Sequence, residues 1–158
     1  MFQVGDKIAH PMHGAGIIDS IVQKKVDGVI QDYYIMKLPN HSMVVMIPVN
    51  NAEQIGIRPI VDAEKADQVL KAIPQLTVEM TTNWNRRYRE NLERMKSGDL
   101  LEVASVIRGL TDRDNKRGLS TGERKMLHAA RQILISELVL SKGESYEDVE
   151  AELDQALA

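Results

Sequence analysis

The sequence contains no cysteine among its 158 residues. This absence excludes disulfides, thiolate zinc sites, iron–sulfur clusters and cysteine nucleophiles, and it fits a reducing compartment. The chain also lacks any apolar run near the ~20 residues that a membrane-spanning helix needs. Its start, Met1 to Asp6, has neither the charged nor the apolar region of a signal peptide. We therefore expect a protein that stays in the cytoplasm and makes no contact with a membrane.

Catalytic and cofactor-binding motifs are also missing. The Gly14-Ala15-Gly16 turn lacks the third glycine and following helix of a dinucleotide site, and no phosphate-binding loop pattern occurs. His10 and His13 have no nearby acid to complete a metal site, so a pair that supports the turn is favoured. Ser120 to Glu123 has the spacing of a capping box, in which the side chains of Ser120 and Glu123 both satisfy free amides at a helix start, and not that of a nucleophile. We predict a protein that is not an enzyme and has neither metal nor cofactor. A small hydrolase remains possible only if the fold brings carboxylates from distant parts of the chain together in one cleft.

The net charge is small, but the charged residues are strongly segregated along the chain. The formal net charge is only −3. Residues 84–131 carry twelve Lys or Arg against seven Asp or Glu, whereas residues 144–158 carry six acids and no base. Residues 1–60 carry five charges of each sign and have no net charge. Such segregation indicates different surfaces for different partners, and the basic central segment is compatible with nucleic acid.

The first sixty residues show the pattern of β-strands. Short β-branched or aromatic runs alternate with turn residues, of which Asp27-Gly28 is a favoured hairpin turn and Pro39-Asn40 separates the last two runs. Several short strands at this spacing predict a small, strongly bent antiparallel barrel. The predicted strands are Val4 to Ile8, Ile17 to Val22, Tyr33 to Leu38 and Met43 to Val49.

After Pro59 the apolar spacing changes to that of helices, and about five are predicted. They begin after Asp62, Thr82 or Asn83, Gly98, Ser120 and Ser145. Their ends fall near Ile73, Gly98, Gly118, Gly143 and the last residues. The fold class is therefore α+β with two domains, a β domain over residues 1–60 and an all-α domain over residues 61–158.

The single tryptophan, Trp84, stands at a helix start among three arginines. It also begins an apolar stripe that continues through Tyr88 and Leu92, so a position in the core is one interpretation. The other is an exposed apolar wedge between base steps of DNA, with the arginines at the phosphates. Spacing alone favours the core.

Several short elements follow one another along the chain in a distinctive order and spacing. They are Phe2 to Asp6, His10 to Gly14, Ile47 to Ala52, Asn83 to Tyr88, Asn91-Leu92, Ser97 to Asp99, Arg117 to Leu127 and Ala130 to Leu134. Through these elements the sequence resembles the CarD family of bacterial transcription regulators, also called CdnL, over nearly its whole length.

The resemblance implies a Tudor-like β domain that binds the RNA polymerase β subunit and a helical domain that contacts the upstream edge of the melted promoter. In members that work this way, the tryptophan at the position of Trp84 enters the minor groove where duplex meets bubble, and basic residues hold the backbone. The resemblance therefore reverses the preference for a core position. We expect a monomer that binds promoter DNA without reading its sequence. The implied DNA-binding residues are Trp84, Arg86, Arg87, Arg89, Arg124 and Lys125.

Polymerase docking is implied for two strands of the β domain. Some family members have arginine where Met46 stands, and this departure puts the docking contact in question. The alternative is a protein-interaction module with another partner, in which the helices serve for support or dimerisation. The implied polymerase-binding residues are Lys24, Lys25, Val45, Met46 and Ile47.

Overall fold

The structure, a computed structural model, describes residues 1–39 and 43–158. Within these residues the strands come first: β1 Lys7–His10, β2 Gly14–Val26, β3 Val29–Lys37, β4 Val44–Pro48 and β5 Arg58–Pro59, with a short helix α1, Ala52–Ile55, before β5. The helices α2 Ala63–Ala72, α3 Trp84–Lys96, α4 Leu100–Arg117, α5 Thr121–Lys142 and α6 Tyr146–Leu157 follow. The predicted α+β arrangement is confirmed.

The strands form one antiparallel sheet in the order β4-β3-β2-β1-β5. The β2–β3 hairpin turns at Asp27 and Gly28, whose φ angles of 52° and 80° are both left-handed. A two-residue hairpin turn of this kind requires positive φ at both positions, and Asp-Gly is among the few pairs that adopt it without large strain. The predicted hairpin turn therefore forms as its residues dictate.

The predicted closure into a barrel is wrong. In the described residues, β4 pairs only with β3 and β5 only with β1, so the sheet stays open with two edges. Strand β5 was not predicted, because it has only two residues, one of them Pro59, and so shows no alternating pattern. At an edge the missing proline amide removes no ladder hydrogen bond. Asn40 of the predicted turn between the third and fourth strands lies outside the described residues.

Alternating side chains of the sheet fill a small apolar core. Since successive side chains point to opposite faces of a strand, the residue before a buried one points outward. Met46, for instance, is 40% exposed beside the buried Ile47. The side chains at most 1% exposed in this core are Ile8, Ile18, Tyr34, Met36 and Ile47.

Side-chain caps begin the helices at the predicted positions. Asp62, Asn83, Ser120 and Ser145 each accept a hydrogen bond from the backbone amide three residues later. Such caps satisfy donors that have no partner inside the helix. At the other end of α5, Gly143 adopts a φ of 66°, the left-handed conformation in which helices commonly terminate.

Helix α5 is the central element of the helical domain. It contacts α2, α3, α4 and α6, and it also packs on β2 of the first domain. Residues 133–138 are consequently buried without interruption, although a surface helix would bury only one stripe. None of the helices in the described part of the chain is long and apolar enough to cross a membrane.

Candidate nucleic-acid interface

Trp84 is the first residue of α3, and its side chain lies on the protein surface. Residue Trp84 is 41% exposed, its ring stacks on that of Tyr88 with centroids 5.1 Å apart, and its Nε1 donates a hydrogen bond of 2.9 Å to Oγ of Ser120. A Cβ on Gly122 would lie 3.4 Å from Cζ2 of Trp84. The indole therefore rests on the start of α5 and leaves part of its surface open.

This position excludes the core interpretation of Trp84, and the wedge interpretation stays a prediction. The stripe on α3 does reach the core, since Met95 is 2% exposed and Tyr88 and Leu92 pack against the helical core. Trp84 stands outside that core. It does not project freely either, because Ser120 holds its only hydrogen-bond donor and Tyr88 supports its ring. The result is an exposed aromatic side chain in a fixed orientation.

A buried ion pair beneath Trp84 joins α3 to α5. Arg87 donates to Glu123 through Nε at 2.7 Å and Nη2 at 3.1 Å, and both side chains are only 2% exposed. Nη1 of Arg87 also donates to the carbonyls of Thr81 and Thr82. These hydrogen bonds from Arg87 hold the pKa of Glu123 below its ordinary value, against the opposite effect of burial. The pair fixes the chain that enters α3.

Two expectations are corrected by this geometry. The Arg87 guanidinium is sealed inside the protein, so it has no surface to offer to a phosphate. Glu123 was expected to complete a capping box, but its carboxylate binds Arg87 and accepts from the Ser120 hydroxyl at 3.2 Å. Only the Ser120 half of the box forms, through the amide of Glu123.

The other expected DNA-binding cations are exposed at the same end of the helical domain. Arg86, with a side chain 67% exposed, pairs with Glu90 one turn later at 2.9 Å. Arg89 is exposed on the same helix. Arg124 and Lys125 are exposed on the first turn of α5, and Nε of Arg124 donates to the carbonyl of Leu119. The buried ion pair holds the starts of α3 and α5 together. The exposed cations on the two helices therefore lie at the same end of the helical domain as Trp84, which is called the Trp84 end below.

Sequence analysis missed a second group of cations near this end. A groove of about 210 Å³ separates the chain before α3, at Val78 to Thr82, from the last turns of α4. Arg113, Lys116 and Arg117 line it, and Nε of Arg113 is buried without a hydrogen-bond partner. Their spacing along α4 was the available signal, since residues three or four apart share a helix face.

The expected docking residues fall into two groups. Lys24 and Lys25 are exposed where β2 approaches the hairpin turn, and Met46 is exposed on β4. Strand β4 is an edge of the sheet in the described residues, so one side of its backbone is open for pairing. Val45 is partly buried against the core, and Ile47, at 1% exposed, faces it. The side chain of Ile47 therefore cannot provide the expected contact.

The histidine pair belongs to the turn after β1. The rings of His10 and His13 lie 4.5 Å apart, and Nδ1 of His10 accepts a 3.0 Å hydrogen bond from the amide of Met12. Burial, and to a lesser degree the proximity of His13, lower the pKa of His10 to about 4. Among the described residues no cluster of His, Asp or Glu could hold a metal ion. The interpretation as a turn-supporting pair accounts for this geometry.

We expect the free energy of unfolding to fall in acid because of His10. An unfolded histidine binds a proton near pH 6.5, whereas folded His10 binds one only near pH 4. Its contribution to the free energy of unfolding is therefore complete above about pH 6.5 and declines as the pH falls towards 4. His10→Asn keeps an acceptor but does not titrate, so it should flatten that decline in urea melts. The parent protein should keep the steeper decline, and equal slopes for the parent and His10→Asn would contradict the assignment.

Comparisons with known proteins identify the family of this chain. Residues 2–61 match the family described as "CarD-like/TRCF RID domain", and residues 68–154 match "CarD, C-terminal domain". The chain is 36% identical over 143 residues to the Bacillus subtilis (strain 168) protein named "Putative transcription factor YdeB", covering 90% of this chain and 94% of that protein. These matches support a role in transcription and confirm the prediction of a non-enzymatic regulator. The chain belongs to the CarD family.

Proposed function

We propose that this protein binds the RNA polymerase β subunit through its sheet and the upstream fork of the promoter through Trp84, and that it thereby stabilises the open complex. The observation that carries the proposal is the half-exposed indole, held by Ser120 and Tyr88 at the end of the helical domain where exposed arginines cluster. An apolar ring in this setting is suited to a site that offers both unstacked bases and phosphates.

A fork favours such a ring over intact duplex. Wedging a side chain between stacked bases costs a few kcal/mol, but the cost falls where polymerase has already opened the strands. Trp84 therefore binds the open state better than the closed state. A ligand shifts an equilibrium only by its differential affinity for the two states, and this difference is what lengthens the life of the open complex.

The surrounding cations orient the wedge without selecting a sequence. Arg86, Arg89, Arg124 and Lys125 are exposed on the two helix starts. Contacts with phosphate oxygens fix position and register but carry no base information, and they weaken as salt rises. Promoter choice then belongs to polymerase. The protein acts in the cytoplasm, where the polymerase works.

The sheet supplies the second attachment. The match of residues 2–61 to the CarD-like/TRCF RID domain supports polymerase as the partner. The open edge of β4 can add a strand from the partner through backbone hydrogen bonds, which do not depend on the side chain at Met46. Exposed Lys24 and Lys25 add positive charge near the hairpin turn. This combination tolerates the departure from arginine at position 46.

We expect charge reversal at the hairpin, Lys24→Glu with Lys25→Glu, to weaken binding to the isolated β subunit several-fold. Interface charges act mainly on the association rate, so the loss should be largest at low salt. Surface plasmon resonance over a salt series measures it. The matched control is Lys65→Glu with Lys71→Glu, which makes the same charge change on the exposed face of α2. Equal losses of affinity for the β subunit in the two double variants would place the docking surface elsewhere.

A further inference from the structure

The contact between the two domains is polar, buried and centred on two consecutive residues of α5. Glu137 is 1% exposed and Ser136 is 7% exposed. Each receives a hydrogen bond from the β domain or from the chain that leaves it. A buried polar interface of this kind is more directional than an apolar one, because hydrogen bonds lose strength steeply when their angles change.

Arg58 and Glu137 form a two-pronged ion pair across the contact. Nη1 of Arg58 donates to Oε2 at 2.7 Å and Nη2 to Oε1 at 2.9 Å. Oε2 also accepts from the amide of Val61 at 2.9 Å, and Nε of Arg58 donates to the carbonyl of Gly98 at 2.9 Å. One arginine on edge strand β5 thus binds α5 and the α3–α4 turn together. Two parallel hydrogen bonds fix orientation as well as distance.

A second contact lies at the turn between β1 and β2. The amide of Ala15 donates a 2.9 Å hydrogen bond to Oγ of Ser136, whose hydroxyl donates to the carbonyl of Ile133. Gly14 has a φ of +93°, and a Cβ there would lie 3.2 Å from Cα of Ile133 and closer still to Ser136. The backbone of the sheet therefore approaches the backbone of α5 without an intervening side chain.

We propose that Arg58 and Glu137 are positioning residues that hold the two domains as one rigid body, and so set the placement of Trp84 relative to the β4 edge. This inference rests on the function proposed above. A protein attached to polymerase at one end can present its indole at a fork only if the connection between its ends is stiff. Flexible domains would spread Trp84 over many positions and lower its effective concentration at the fork.

The test separates domain orientation from docking and from the wedge. The chain has no cysteine, so spin labels at Asp32→Cys in β3 and Glu93→Cys in α3, both exposed, report one interdomain distance. In this background the variants are Glu137→Gln and the pair Arg58→Met with Glu137→Met. The double variant leaves no unpaired buried charge, and such apolar replacements often keep a protein folded.

We expect the double variant to melt cooperatively, to bind the β subunit as the parent does, and to show a broadened label-to-label distance distribution. It should also lose most of the parent's extension of open-complex lifetime. The matched control, Arg131→Met, breaks an ion pair with Asp154 inside the helical domain and should leave the distribution narrow. Glu137→Gln should fall between the parent and the double variant in both readouts.

A distribution as narrow as the parent's in the double variant would overturn the proposal, and so would a broad distribution with full lifetime. The distance measurement uses the protein alone, so it decides domain rigidity whether or not Trp84 acts as a wedge. Failure of the wedge would appear separately, as a Trp84→Ala variant with unchanged lifetime and a narrow distance distribution.

Discussion

Trp84→Ala is expected to shorten the lifetime of the open complex by about tenfold relative to the parent protein, equivalent to about 1.4 kcal/mol of lost differential binding. The indole offers a large, partly exposed aromatic surface at the start of α3, and an alanine side chain cannot stack on bases. Since Trp84 is 41% exposed and lies outside the core, the alanine variant should still fold. Heparin challenge of preformed complexes, followed by residual transcription over time, gives the lifetime.

Trp84→Phe is the matched control for this experiment. Phenylalanine keeps a ring for stacking on bases and on Tyr88 but loses the hydrogen bond to Ser120. We expect an intermediate lifetime, because the wedge remains while its orientation is less fixed. If Trp84→Ala melts like the parent and leaves the lifetime unchanged, the wedge is wrong.

The largest effect on stability is expected at the ion pair between Arg87 and Glu123. Removing one partner of a buried pair leaves an uncompensated charge and costs about 3–5 kcal/mol. Arg87→Met should therefore lower the melting temperature by roughly 10 °C in a chain of this size. It also removes the donors from the carbonyls of Thr81 and Thr82. Chemical denaturation with circular dichroism measures the free energy of unfolding.

Arg86→Met provides the control, since it breaks an exposed pair with Glu90 on the same helix. Exposed pairs one helical turn apart contribute about 0.3–0.5 kcal/mol, so this variant should melt close to the parent. Similar losses in the free energy of unfolding for Arg86→Met and Arg87→Met would show that the buried ion pair does not form in solution.

Local rules predicted the helices and the hairpin. Asp62, Asn83, Ser120 and Ser145 cap helices because a short polar side chain reaches the free amides of its own first turn. Asp27 turns the hairpin because its backbone conformation is decided within two residues. Such features depend on neighbours in sequence, and spacing reveals them.

Features that depend on distant residues were not predicted from the residues themselves. Arg87 lies among exposed arginines in sequence, and only the approach of Glu123, 36 positions later, buries it. Ser120 shows a capping pattern but gives no sign that it also accepts from Trp84. The prediction that the sheet closes was wrong, because the alternation of apolar and polar residues within a strand does not show which other strand it pairs with. For Trp84, spacing favoured a core position and resemblance favoured a wedge. The structure places its ring outside the core, and the wedge stays a prediction.

The proposed mechanism requires that Trp84 bind separated strands better than intact duplex. The affinity of the protein for two promoter states tests this most directly. Polymerase is assembled on a promoter with a permanently mismatched bubble and on one held as closed duplex, and binding of the labelled protein is titrated on each. We predict about tenfold tighter binding to the bubble complex, and loss of that ratio in Trp84→Ala with docking retained. Equal affinity of the parent protein for the two complexes would contradict the mechanism.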